Sequence, residues 1–432
     1  MRFLNVTGWL TAIASVAAIV SLSSTSASAD APGTIYIGMT AQDVSVLSRA
    51  RPEFDPKGIP LGGFRLFPTL DVTGTYDDNV FRLPAAQSDI FVAITPTLRL
   101  RSQWGRHFLE LYADSSSYEF TKFTAQNLTD WRGGLDGRLD ISHSATFAVN
   151  VFHGEFHELW SSPNTVAGFQ AEPNRYRQNH ADFTATYKPS RLGLEIGGGY
   201  DRSDWMSTPT IGGGAQDNSD RNESEYQGYG KLSYEFSPGY SGFVRASYDD
   251  RQFDHYFDRS GQHRSSHGYR FDGGVDLQIT HLLAGEVFAG YLQQHFAQDV
   301  PEPLQNLSGI DYGAQLDWYA TPLITVHLNG SRHLTDVTIR GTSVSDDNRF
   351  QLSADYEFHR NIIFQAYGTY TISRLVGTPR TDNYPGAGVG VRYLMNRYAS
   401  ILANYAYSER TSAIAGTGYT DDLVSVRLAL HI

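Results

Sequence analysis

The chain is 432 residues long, carries 34 Lys and Arg against 46 Asp and Glu for a formal charge of −12, and has no cysteine. That acidity argues against a nucleic-acid partner, whose phosphates call for an excess of positive charge, and the missing thiols rule out disulfide staples and thiolate metal sites. No stretch approaches the roughly 18 consecutive apolar residues a spanning helix needs, while 26 Tyr, 24 Phe and 6 Trp suit strands and interfacial girdles.

In chain order, the amino terminus and Arg2 precede a short apolar run from Val16 to Leu22 and then Ala27-Ser28-Ala29. Residues 1–29 therefore read as a secretory signal peptide cleaved after Ala29. Its removal takes away one Arg and no acid, so −12 becomes −13. Residues 30–63 hold no sustained period and are broken by Pro32, Pro52, Pro56, Pro60 and Gly62-Gly63. They read as a periplasmic N-terminal segment with a short strand or turn at 34–38.

From Phe64 onward apolar and polar residues alternate, which places them on opposite faces of strands. Along 361–374, Ile362, Phe364, Ala366, Gly368 and Tyr370 share one parity, and Gln365, Tyr367, Thr369 and Thr371 the other. Val424, Val426, Leu428, Leu430 and Ile432 repeat the apolar row against Arg427 and His431. The same period predicts strands at 64–76, 91–101, 108–120, 130–141, 146–156, 175–187, 192–202, 225–236, 242–253, 269–280, 283–295, 310–319, 323–334, 349–358, 361–374, 386–395, 398–409 and 423–432. Pro68 weakens the first near its start, because proline cannot donate to a ladder.

Each segment has about the length a tilted strand needs to cross a bilayer, and the connections alternate between short ones such as Thr321-Pro322 and long polar ones such as 157–174 and 203–224. Residues 64–432 are thus expected to form an all-β fold: a transmembrane antiparallel up-and-down β-barrel of about 18 strands, with short periplasmic turns, long extracellular loops and both termini in the periplasm. Tyr187, Phe236, Tyr240, Trp318, Tyr319, Phe358, Tyr393 and Tyr398 stand beside short turns, as a periplasmic aromatic girdle would. A barrel of this size holds more space than its side chains fill. Parity points Arg132, Asp136, Arg138, Asp140, Arg270, Asp272, Asp276, Asp311, Asp355, Glu357, Arg392 and Arg427 into the lumen. Acids outnumber bases among them, so a mild cation preference or tolerance of neutral solutes is expected.

Candidate chemistry is sparse. His153 and His157 are four residues apart on one strand, about 13 Å by the strand rise, too far for one ion. Asp217 to Glu223 has acids but not the glycine and bidentate glutamate offsets of a calcium loop. No motif singles out a nucleophile, and Gly386, Gly388 and Gly390 alternate along a strand instead of cradling a phosphate. Neither catalysis nor a metal or cofactor is expected.

Arg51-Pro52-Glu53-Phe54-Asp55-Pro56-Lys57-Gly58-Ile59, then Leu61-Gly62-Gly63-Phe64, Phe67-Pro68-Thr69-Leu70 and Tyr76-Asp77-Asp78-Asn79-Val80-Phe81, resemble the entry segment of the Putative beta-barrel porin 2 family. The resemblance implies a large barrel in the outer membrane of a Gram-negative bacterium, surrounded by lipid and lipopolysaccharide. It also implies a conduit for an exopolysaccharide or capsule, working with a periplasmic polysaccharide-export protein. The family supplies no catalytic or ligand residues. The last residue is Ile432 in place of the usual terminal Phe, though the alternation before it still offers the barrel assembly machinery an outward apolar row. Other readings are a general diffusion porin for small solutes, a barrel hydrolase, or a structural surface protein.

Overall fold

The computed structural model describes residues 44–165, 169–279 and 282–432. Its main element is a run of strands: β1 (Phe64–Asp77), β2 (Asp89–Ser102), β3 (Phe108–Phe120), β4 (Leu128–Asp140), β5 (Ala145–His157), β6 (Arg175–Tyr187), β7 (Leu192–Trp205), β8 (Glu223–Ser237), β9 (Tyr240–Phe253), β10 (Ser266–Ile279), β11 (Leu283–Phe296), β12 (Leu307–Thr321), β13 (Ile324–Asp336), β14 (Val344–His359), β15 (Ile362–Leu375), β16 (Thr381–Asn396), β17 (Ala399–Ser412) and β18 (Tyr419–His431). Each pairs antiparallel with its sequence neighbours. β18 returns to β1 in a register running from Thr69 opposite His431 to Asp77 opposite Leu423. The sheet therefore closes on itself as an eighteen-stranded barrel, leaving no edge with unpaired backbone groups in lipid. The leader at 1–29 and the short strand expected at 34–38 lie outside the described residues.

All eighteen expected strands are present, but many extend further at the ends facing the long loops. β14 begins at Val344 and β16 at Thr381. There the outward face turns polar, as at Arg202, which bonds Asp204 and Asp254 at 2.6 Å. The alternation fades where the lipid stops, while the backbone ladder runs on. Prolines mark gaps in one ladder only: the β1–β18 pairing starts just past Pro68, and the β2–β3 register jumps across Pro96.

The outward face is apolar and uncovered: Ile310 is 69% and Phe271 62% exposed. Such a belt needs lipid around it. Tyr187, Phe236, Trp318, Phe358, Tyr393 and Tyr398 stand outward near the short turns, whereas Tyr319 is buried on the opposite face because its parity is the reverse of Trp318's. A second set of rings, Tyr200 with Tyr226 at 5.2 Å and Tyr248 with Tyr269 at 5.0 Å, lies toward the long loops.

Inside, large rings lie over glycines on the next strand. Tyr229 is opposite Gly197, Tyr367 opposite Gly388, Tyr112 opposite Gly134 and Phe243 opposite Gly274. A Cβ at Gly197 would stand 2.1 Å from the Tyr229 ring, and one at Gly388 2.2 Å from Tyr367. The missing side chain makes the seat for the ring, which locks register and flattens the wall.

Gly388→Ala is expected to lose about 1–3 kcal/mol by overpacking, read as a lower temperature for the loss of the folded barrel's gel mobility. Gly230→Ala, with nothing within 4 Å of the new Cβ, is the control and should change little. Equal stability of the two variants would refute the seating.

Candidate functional site: the lumen

The barrel encloses a chamber of about 1580 Å³. Its wall combines a hydroxyl-rich sector on β1 and β2, with Thr69, Thr73, Thr75, Thr95 and Thr97, and charged sectors in which opposite signs are paired. One such chain starts at Arg245, which lines the chamber, and leads away from the lining to Glu286 at 2.9 Å, Lys231 at 2.6 Å and Asp276 at 2.9 Å. Paired charges hydrogen-bond readily to water while presenting little net field.

Two pieces of chain that belong to no strand of the wall narrow this space. At the short-turn end, residues 47–57 line the chamber as a floor. The Val46 N–H donates to Thr325 Oγ1 at 3.0 Å, and the Arg51 guanidinium donates to Glu357 at 2.6 Å and to the Arg360 carbonyl at 3.1 Å. Gly58, at φ +66, turns the chain from this floor into the wall, and a Cβ there would stand 2.7 Å from Phe67. The segment expected to be a periplasmic lead-in thus reaches, from residue 44 on, into the barrel mouth.

At the other end the β5–β6 loop crosses to the β13–β14 connection, eight strands further round an eighteen-stranded ring. Asn164 accepts from the Thr338 N–H at 2.8 Å and donates to the Asp336 carbonyl at 3.5 Å. The loop's root is a buried clamp in which Arg221 donates to both Glu158 oxygens at 2.9 Å while Asn174 donates to Glu158 at 2.7 Å. Burial alone would raise the Glu158 pKa, but the Arg221 guanidinium and the hydrogen bonds outweigh it and hold the carboxyl below its ordinary value. Arg251 of β9 and Arg264 of the β9–β10 loop reach the same crossing point, at Asp336 (3.0 Å) and the Thr342 carbonyl (3.0 Å).

Of the residues that parity pointed inward, Arg132, Arg270, Asp272, Asp311, Arg392 and Arg427 line this chamber. Arg132 pairs with Asp114 at 3.0 Å, and Arg270 stands 3.9 Å from Asp311. The rest are taken up by neighbours: Asp136 by Asn150 at 2.5 Å, Arg138 and Asp140 by each other at 3.0 Å, Asp276 by Lys231, Asp355 by His327 at 3.1 Å and Glu357 by Arg51. The expected excess of acid is absent from the chamber wall, which carries sixteen Arg and Lys against fourteen Asp and Glu among the described residues.

Tyr229 lines the chamber with one face against Gly197, but Tyr367 is buried under its neighbours and offers no open face. Sequence reasoning missed Arg51, Glu158 and Arg221, none of which lies in an alternating stretch. The one available signal was the family-like run around Arg51, specific in a segment with no strand of its own.

His153 bonds Asn179 at 2.8 Å and His157 bonds Asp130 at 2.7 Å, so the two histidines are engaged apart from each other. Asp77, Asp78 and Asp421 come close enough to share an ion. Arg82 already fills that place, 3.0 Å from both Asp77 and Asp421.

A closed strand wall with an apolar exterior between two sets of rings, around a polar chamber, defines an outer-membrane β-barrel of the porin type. The chain belongs to the Putative beta-barrel porin 2 family, whose model matches residues 51–432. Among solved structures it is similar to OccK2 (OpdF) of Pseudomonas aeruginosa in complex with glucuronate, at 12% identity and a TM-score of 0.44 over 87% of this chain and 100% of that one. It is also similar to a mutant of the ferric enterobactin receptor PfeA of the same organism, at 7% identity and a TM-score of 0.45 over 85% and 80%. OpdL of Pseudomonas aeruginosa matches at 12% identity and a TM-score of 0.41 over 86% and 99%. No curated protein matches the chain.

The clamp has a pH consequence. Because the folded pKa of Glu158 is depressed, its contribution is full above the unfolded value of about 4.3 and fades as pH falls through the folded one. With no native cysteine, Pro163→Cys, beside Asn164 on the same loop, carries a single environment-sensitive dye and leaves the Asn164 contacts in place. The dye should report a held loop at pH 7 and release in acid, and adding Glu158→Gln should abolish that acid transition. An unchanged transition would assign the loop's hold to another carboxylate.

Proposed function

We propose that this barrel is a non-enzymatic passage through the outer membrane for a secreted polysaccharide, supplied by a periplasmic polysaccharide-export protein. The observation that carries the reading is the chamber itself: a wall of hydroxyls and mutually paired charges between two closures held by side-chain contacts. Hydroxyl groups trade hydrogen bonds between water and sugar at little cost, and paired charges hold no neutral segment long enough to stall it. The family resemblance supports the same substrate class.

The floor at 47–57 is the natural point of control. It contributes nothing to the strand ladder, so it can leave without opening a seam in the wall. Its main tie, Arg51 to Glu357, is a buried ion pair whose disruption from one side costs about 3–5 kcal/mol in similar settings. A periplasmic partner able to engage this segment would open the passage from below. A second reading, diffusion of small solutes, is favoured by the size of the chamber while both closures stay in place.

A strain lacking the protein should lose secreted polysaccharide while small-solute uptake stays normal; the reverse pattern would favour the diffusion porin and overturn the export reading. In planar bilayers, removal of residues 30–57 should raise single-channel conductance several-fold over the intact mature chain, with Arg51→Ala intermediate. Equal conductance with and without the segment would show that it does not obstruct the lumen.

A further inference from the structure

The pairing registers align Glu357, Ile363, Arg392, Leu402, Arg427 and Thr73 in one row across β14 to β18 and β1. Three guanidinium groups meet this row. Arg51, rising from the floor, is engaged by Glu357 at 2.6 Å, and Arg427 donates to Thr73 Oγ1 at 3.3 Å and stands 3.6 Å from Asp71. Arg392 lies between them, lines the chamber, and has no hydrogen-bond or ion-pair partner among the described residues. Its row neighbours Ile363 and Leu402 are buried apolar side chains that offer it nothing to bond.

The acids close to Arg392 have other commitments. Asp355 already receives His327 at 3.1 Å and Gln365 at 3.2 Å, and Asp71 faces Arg427. Arg49 on the floor adds a further positive group, 3.3 Å from Glu357, and its Nε is buried without an acceptor. The neighbourhood thus sets Arg49, Arg51, Arg392 and Arg427 against Glu357, Asp71 and Asp355, leaving one positive charge in excess and a free planar fork of donors pointing at the lumen.

We propose that Arg392, flanked by Arg427 and Arg51, is an anion subsite in the lumen that receives the carboxylate of an acidic sugar residue. A guanidinium fork matches a carboxylate edge in two parallel hydrogen bonds. A single excess charge suits a monoanion better than a phosphate dianion, which Asp71 and Asp355 would repel. The apolar flanks keep competing hydrogen-bond donors and acceptors out of the row. The subsite deepens the polysaccharide reading by specifying acidic sugar units, and rests on it; the test below needs binding alone, so it can fail or succeed whether or not the barrel conducts.

The mature full-length protein in detergent at low salt is titrated calorimetrically with galacturonate, galactose and inorganic phosphate. Galacturonate should bind at least about tenfold more tightly than the other two, the difference one charge-assisted contact confers. Arg392→Gln should weaken galacturonate binding by about tenfold or more, with Arg392→Lys between, because it keeps the charge and loses the fork. Arg132→Gln, which removes a paired guanidinium elsewhere on the wall, should leave galacturonate binding unchanged. Since Arg392 holds no partner in place, its variants should keep the folded barrel's gel mobility; if Arg392→Gln does not, Arg392→Lys decides alone. Absence of saturable galacturonate binding, equal affinity for galactose, tighter binding of phosphate, or indifference to the Arg392 changes would each overturn the proposal.

Discussion

The structure depends on one requirement: inside lipid no backbone N–H or C=O can be left to water, so every one within the span must find a partner in the wall. The pairing of β18 with β1 meets it, turning a meander of hairpins into a ring. Much else follows from that seam. The side chains of a closed ring have only two destinations, lipid or lumen, and this is why apolar and polar residues alternate so steadily from Phe64 to Ile432. Prolines are confined to places where one ladder is already broken, and glycines recur where a ring from the adjacent strand must lie flat.

This also explains what could be read in the sequence. Strand number, order and facing were legible because the lipid writes a two-residue period into every segment it touches. Strand ends toward the long loops were not, since beyond the lipid both faces become polar and residues such as Arg202 and Asp204 carry no parity signal. Parity also says which way a side chain points but not what meets it there. Tyr367 and Tyr229 both occupy inward positions of their strands, yet the first is buried against Gly388 and its surroundings while the second lines the chamber.

The two closures were hidden for a different reason. Arg51 and Glu357 are 306 residues apart, and Asn164 and Thr338 are 174 apart; neither contact leaves a local pattern. Both closures are tied by side chains instead of by the ladder, so each can be released at the cost of a few polar contacts while the ring of backbone hydrogen bonds stays whole. Rigidity belongs to the wall, and the two segments that narrow the lumen are held by fewer contacts.

Charge divides along the same boundary. The whole chain is strongly acidic, yet the chamber wall is close to neutral with a small excess of arginine. Net charge computed from the sequence therefore describes the protein's solvated surface more than its passage. Within the passage, nearly every guanidinium is answered by a carboxylate, which removes the strong sites that would trap a polar solute. Against that background one guanidinium of the chamber lining stands out as having no hydrogen-bond or ion-pair partner among the described residues: Arg392 is held in a row whose other members are either apolar or already bonded. A conducting lumen can tolerate a site of this kind only if its hold is modest, because conduction requires attraction enough to enter and not enough to stay. The acids at Asp71 and Asp355 supply that moderation, offsetting most of the local positive field around Arg392.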